Sequence, residues 1–205
     1  RWVHVLSNDT DTSYRMEEKR GAIPDIGVGT AVHDCFAPYD KLTDVKHALC
    51  NAHLLRELKA VAELDKESWA TDVGALLKSF NKLKDDYQLE VPLEEVSKCK
   101  TLLHTALNKA VEFYDLLPPY DNKKQRRGKV KKRPGHNLAL RMLDRIDSVL
   151  LFLSVPAVPF TNNQAERDLR MIKTQQKISG CFRTSDGANN FAILRSVIST
   201  ARKRG

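Results

Sequence analysis

The ten residues Thr161-Asn162-Asn163-Gln164-Ala165-Glu166-Arg167-Asp168-Leu169-Arg170 set a carboxylate, Glu166, among arginines and amides. Carboxylates suit hard divalent cations and guanidinium groups suit phosphate oxygens, so the stretch reads as a metal-and-phosphate site. Its spacing predicts a helix. Thr161 followed three residues later by Gln164 is a capping-box signature, placed just after the breakers Pro156 and Pro159. At about 100° per residue, Ala165, Leu169 and Ile172 share one stripe while Asn163, Glu166, Arg167 and Arg170 share another, which leaves the polar stripe available for chemistry. A surface helix with local ion pairs would carry the same residue types. Arg167 therefore either clamps phosphate or pairs with Asp168, and Asn163 either orients Glu166 or caps the helix start.

Other residues with chemical potential are scattered ahead of this helix. Thr30-Ala31-Val32-His33 reads as a short buried strand ending at Asp34, an acid well placed for a site, with His33 on the opposite sheet face in a structural role. Cys50 and His53 are one helical turn apart, a spacing that can chelate a transition metal, and Glu57 falls within about 60° of them. Two ligands do not make a site, although Cys35 and Cys181 could complete one; otherwise His53 either supports Asp34 or is a core histidine. The run Lys123-Lys124-Gln125-Arg126-Arg127-Gly128-Lys129-Val130-Lys131-Lys132-Arg133 carries eight positive charges. Without interleaved aromatics it would neutralise phosphates without reading bases, or simply be a solvated charged loop. Arg183, Arg202, Lys203 and Arg204 can extend the same basic surface.

The elements that must position these groups follow from pattern. Trp2 to Leu6 is expected as a strand, Thr12 to Glu17 as its hairpin partner, and the Gly/Pro-rich stretch Gly21 to Gly29 as a loop. Asp44 to about Leu64, Lys66 to Gln88, Leu93 to Leu117 and His136 to Leu153 are expected as helices, with Pro92 and Pro118-Pro119 bounding the third. Lys177 to Thr184 reads as a short strand or extended loop. Asp186 to Arg204 reads as an amphipathic helix with Phe191, Leu194, Val197 and Ile198 inward.

The 205 residues suffice for one ample domain, or a core carrying a large insertion. At 41% hydrophobic and 29% charged the composition is globular, and a net charge of +8 points to a polyanionic partner, nucleic acid first. The four cysteines, Cys35, Cys50, Cys99 and Cys181, are too dispersed for a disulfide framework and read as reduced thiols. No apolar run approaches the roughly 18 residues needed to span a bilayer, so a soluble cytoplasmic protein is expected.

Taken in order, His33-Asp34, Cys50-Asn51-Ala52-His53-Leu54-Leu55-Arg56-Glu57-Leu58, Asn162 to Arg170, Gly180-Cys181-Phe182-Arg183-Thr184-Ser185-Asp186-Gly187-Ala188 and Ser199 to Lys203 resemble the DDE transposases of bacterial insertion sequences, specifically the sixty-six family. The likeness runs from Trp2 to the C-terminus and thins between about Lys66 and Arg133. It implies an α/β, RNase H-like fold: a mixed sheet flanked by helices, with a large helical insertion between the second and third catalytic acids. Asp34 matches the second acid and Glu166 the third, both catalytic and metal-holding, with His53 and Asn163 supporting them. The family's first acid lies on a strand before the one containing Trp2, so the first strand is expected to be missing from residues 1–205 and this stretch alone to lack catalysis. The corresponding organisation is 1–43 as the N-terminal part of the core, 44–65 as a core helix, 66–155 as a mostly helical insertion with the basic loop 123–133, and 156–205 as the C-terminal part carrying the Glu166 helix. Arg20-Gly21-Ala22-Ile23-Pro24 is shorter than the family's usual link, which leaves the local sheet geometry open.

The activity implied is metal-dependent DNA strand cleavage and strand transfer at insertion-sequence ends. Mg²⁺ is the implied cofactor, with Mn²⁺ as substitute and two ions in the complete enzyme. Transposon-end and target DNA are the implied partners, with self-association on DNA and no membrane contact. The alternatives are a truncated, inactive DNA-binding remnant and a related RNase H-like nuclease.

Overall fold

Asn8 closes the first hairpin. Its side-chain Oδ1 accepts from the backbone N–H groups of Thr10 (3.0 Å) and Asp11 (2.6 Å), a local turn that reverses the chain. Strands β1 (Trp2–Ser7) and β2 (Thr12–Glu17) then pair antiparallel, from Ser7 opposite Thr12 to Trp2 opposite Glu17. The computed structural model describes residues 2–88, 90–120 and 131–205. These form two compact units: Arg1–Gly29, Cys35–Val45 and Asn162–Gly205 in the first, Thr30–Asp34 and Lys46–Thr161 in the second.

Two helices complete the first unit, α6 (Asn163–Ser179) and α7 (Ser185–Arg204). α7 lies along the outer edge of β2 and satisfies it with hydroxyls. Tyr14 N–H donates to Ser196 Oγ (2.9 Å), Thr12 N–H donates to Thr200 Oγ1 (3.0 Å), and Thr200 returns a bond to the Thr12 carbonyl (3.2 Å). Unpaired strand edges need covering, and a helix can approach this closely only through small residues. Ala188, Ala192 and Ser199 are accordingly the buried positions of α7, with Phe191 half-buried. This corrects the expected inward face: Leu194 (61%), Val197 (62%) and Ile198 (40%) are exposed. From α6, Leu169 and Ile172 pack with Val3, Val5 and Tyr14, as their shared stripe predicted. After β2, residues 22–27 form an irregular link, and the Arg20 guanidinium sits 4.5 Å from the Phe36 ring and 5.5 Å from that of Trp2.

The second unit is mainly helical. Strands β3 (Gly29–His33) and β4 (Val45–Leu49) form a second two-stranded sheet, so the strands pair as two small sheets where the resemblance implied one mixed sheet. β4 corrects the reading of 44–65 as helix throughout: Val45 and His47 flank exposed Lys46, and Ala48 and Leu49 are both buried, a short segment that pairs with β3 before the helix begins. Helix α1 (Asn51–Ala60) follows and widens over Val61–Asp65 before Lys66 enters the left-handed region at φ 59°. Helices α2 (Ser68–Tyr87), α3 (Leu93–Asp115), α4 (Pro134–Asp144) and α5 (Ile146–Ser154) surround a core containing Leu54, Leu77, Leu103, Leu107, Met142 and Phe152, each essentially sealed from solvent. The single helix expected over His136 to Leu153 is broken at Arg145, where φ is −115° and ψ 27°. At one end Trp69 Nε1–H donates to the Tyr114 hydroxyl (3.2 Å), and Tyr114 stacks on His136 with ring centroids 5.2 Å apart. Gly135 permits that stack, because a Cβ there would lie 1.9 Å from the Tyr114 oxygen.

Candidate functional site

Helix α6 begins one residue later than the capping-box signature implies. Asn162 is the N-cap, its carbonyl accepts from Glu166 N–H (3.2 Å), and no side chain caps the end. Gln164 is drawn one turn forward, donating from Nε2 to Asp168 Oδ1 (3.2 Å), so it is not available to complete a box with Thr161. Asn163 is the first helical residue and is exposed, which rules out its capping role. Glu166 sits half-buried in the first turn, where the helix dipole favours a negative charge. Arg167 and Arg170 are exposed beside it and form no ion pair among the described residues.

Asp168 does not partner Arg167. Two residues from Glu166 is about 200° around a helix, and Asp168 turns into the first unit instead. Its Oδ2 accepts from Ser7 Oγ (2.7 Å) and Thr12 Oγ1 (3.2 Å) and lies 3.4 Å from Lys203 Nζ, while its carbonyl accepts from the Tyr14 hydroxyl (2.9 Å). Burial alone would push the Asp168 carboxyl up. The Ser7 hydroxyl, Lys203 ammonium, Gln164 amide and Thr12 hydroxyl outweigh it and hold the group below the ordinary carboxylate value. Lys203, expected on the basic surface, is likewise directed inward and donates to Ser7 Oγ (2.7 Å), Asn8 O (2.6 Å) and Asp11 O (3.1 Å). Arg204 pairs with Asp11, while Arg202 and Arg183 are exposed.

In the second unit, Asp34 follows the last residue of β3 and is half-buried. His33 is buried and structural: its Nδ1–H donates to the Asp34 carbonyl, leaving Nε2 to accept from His47 Nδ1–H on β4 (2.8 Å). The histidine pair thereby fixes the backbone of Asp34. Cys50, the N-cap of α1, is tied to β3 by its N–H to the His33 carbonyl (2.8 Å), and its thiol lies within 4.8 Å of a His53 ring nitrogen. Cys35, Cys50, Cys99 and Cys181 form no disulfide among the described residues. Asn51, which the sequence reading passed over, is wholly buried. It donates from Nδ2 to the Val149 carbonyl (3.1 Å), and its backbone N–H bonds to Phe160 O (3.1 Å). The local signal was an amide at a helix start that caps nothing; its partners on α5 and beyond lie far off in sequence.

Of the basic run, Lys123, Lys124, Arg126, Arg127 and Lys129 lie outside the described residues. Lys131 and Lys132 are exposed, and Lys132 Nζ donates to His136 Nε2 (3.4 Å). Burial, and then the Lys132 charge, lower the His136 pKa below the ordinary histidine value against the opposing pull of Asp115. Arg133 is half-buried, donating to the Pro118 carbonyl (3.3 Å) with its guanidinium 5.4 Å from the Tyr120 ring, so it anchors the end of the run.

Among the described residues no helix is long and apolar enough to cross a membrane. Neither the curated proteins nor the solved structures contain a match to this chain. A family model described as "Transposase IS66 family" matches residues 1–190, a span that takes in β1, Asp34, the Cys50 and His53 turn, and the whole of α6. With almost its entire length covered, the chain belongs to the IS66 family of transposases.

Proposed function

We propose that this protein carries out metal-dependent DNA strand cleavage and strand transfer at the ends of an insertion sequence, with Asp34 and Glu166 as carboxylates of the catalytic site. One observation carries the reading beyond family membership: α6 presents Glu166 in its first turn beside two exposed arginines that form no ion pair among the described residues, while its other carboxylate is turned inward. An all-oxygen donor set suits Mg²⁺, with Mn²⁺ as substitute, and such ions activate an attacking oxygen and stabilise a leaving one in phosphoryl transfer. Arg167 and Arg170 donate charge-assisted hydrogen bonds to phosphate oxygens flanking the reacting one. Arg183 and the run Lys123 to Lys132, anchored at its end by Arg133, extend the grip on the backbone, and His53 and Asn163 support the carboxylates. On the same reading the core is RNase H-like, and α2 to α5, which fall between Asp34 and Glu166 in sequence, are its insertion. The protein works in the cytoplasm and self-associates on transposon-end DNA before joining it to a target.

The test incubates the complete transposase that contains residues 1–205 with duplexes carrying the ends of its element and a supercoiled target, with Mg²⁺, with Mn²⁺ and with chelator. Metal-dependent nicking and joined products are expected, both lost in Asp34→Asn and Glu166→Gln variants. Nicking without joining would identify a nuclease. DNA retention with no cleavage in either metal would leave a DNA-binding protein and overturn the catalytic reading.

A further inference from the structure

Beyond Glu166, basic residues recur along α6 every three or four positions: Arg167, Arg170, Lys173 and Lys177, all exposed. None of them forms an ion pair among the described residues. Three to four residues of helix advance about 5 Å, a step of the order of that between successive phosphates in an extended strand. One face of α6 is therefore a row of cations leading away from Glu166.

That row passes a cleft of about 540 Å³ within the same unit. Trp2, Met16, Leu169 and Phe182 supply an apolar, partly aromatic wall, and Lys173 and Arg183 supply charge. Trp2 is 49% exposed, and it offers a ligand the part of its ring that the Arg20 guanidinium, 5.5 Å from the centroid, leaves open. The Phe182 ring is held from behind by Phe191, 5.2 Å away between centroids. These groups suit an occupant that joins an anionic group to a flat apolar one. A single nucleotide meets both demands, and aromatic side chains stack any base through its π-face.

We infer that this cleft receives one unstacked base of the DNA strand whose backbone follows α6, the base lying against Trp2 and Phe182 and its phosphate against Arg183 and Lys173. Lys173 is seven residues from Glu166, about 10 Å along the axis, which sets the captured base roughly two nucleotides from the phosphate beside Glu166. Extruding a base costs least where the strand is already unpaired, so the cleft favours single-stranded DNA beside the cut. The inference rests on the proposed action on DNA and adds to it a subsite for one base.

The test measures fluorescence anisotropy in chelator, so that no cleavage intervenes, using labelled hairpin oligonucleotides with a short single-stranded overhang whose junction fixes the register. An abasic site is placed at each overhang position in turn. One position is expected to weaken binding about tenfold, equivalent to about 1.4 kcal/mol, with its neighbours unaffected. Phe182→Leu, which keeps an apolar side chain against Phe191, is expected to weaken binding of the intact overhang by a similar factor and to abolish the position effect. Arg183→Gln provides a second variant outside the apolar contact and should weaken intact and abasic overhangs alike. Equal binding of every abasic oligonucleotide, or a position effect that survives Phe182→Leu, would overturn the base subsite while leaving DNA binding intact. Failure to bind any oligonucleotide would overturn the DNA-directed reading itself, and the subsite with it.

Discussion

Asp168 Oδ2 lies 3.4 Å from Lys203 Nζ, and both side chains are nearly sealed from solvent, at 14% and 13% exposure. The Ser7 hydroxyl bridges them, donating to the carboxylate and accepting from the ammonium. The last turn of α7, the β1–β2 turn and the first turns of α6 are therefore tied at one point. The register of α6 is set from within the first unit, and this is what leaves Arg167 and Arg170 exposed with Glu166 half-buried beside them.

That pair makes stability pH-dependent in a defined sense. Asp168 titrates below its unfolded value of about 3.9, so its contribution is complete above that pH and is lost as pH falls through the lower folded value. Asp168→Asn should destabilise the protein by about 2 kcal/mol at neutral pH, because Lys203 loses its counter-charge. The difference in melting temperature between wild type and variant should narrow as pH falls below about 4. Thermal melts across that range check both the size and the sign.

On α7, tolerance should run opposite to hydropathy. Ala192→Leu would wedge the helix away from β2 and should cost about 1–3 kcal/mol. Val197→Ser, on the exposed side, should stay within about 0.5 kcal/mol of wild type. Urea unfolding midpoints of the two variants make the comparison.

Gly135→Ala should destabilise the second unit, because the new methyl would overlap the Tyr114 hydroxyl and come 3.1 Å from Val61 Cγ1. A loss of about 1–3 kcal/mol is expected for such overpacking. The bond from Trp69 to the Tyr114 hydroxyl provides a local readout, as the variant should shift tryptophan emission as well as the melting temperature.

Basic residues should separate by where their charge is already engaged. Arg167→Gln and Arg170→Gln should each lower the slope of log affinity for DNA against log salt by about one. Arg133→Gln should act chiefly on stability, since its guanidinium is engaged by the Pro118 carbonyl and the Tyr120 ring. Salt titrations of duplex binding, paired with melts, distinguish the two classes.

What was legible in the sequence was periodic and local. The Trp2 to Leu6 and Thr12 to Glu17 alternations became the β1–β2 hairpin, and the Leu169 and Ile172 stripe of α6 packs as its spacing demanded. Errors arose where distant partners outbid local pattern. Val45–Leu49 became a strand because β3 was available to pair with it. Gln164 abandoned the capping box for Asp168, and Asp168 itself is held by Ser7, Thr12 and Lys203, none of them a sequence neighbour. The buried face of α7 was misread because hydropathy ranks Leu194 and Val197 above Ala192 and Ser196, while the edge of β2 selects for smallness and a hydroxyl. At the candidate site, Glu166 and its arginines could be read from residue type and spacing; the anchor that orients them could not.

Glu166 and Asp168 give one helix two acids in opposite surroundings, divided only by their angle about its axis. A single-residue insertion or deletion between Asn162 and Glu166 would leave every side chain in place chemically yet shift the numbering of the helix start, whereas the same change between Glu166 and Asp168 would rotate one acid about 100° against the other. The two-residue interval between them is therefore a fixed length, and natural or laboratory indels should be excluded from it.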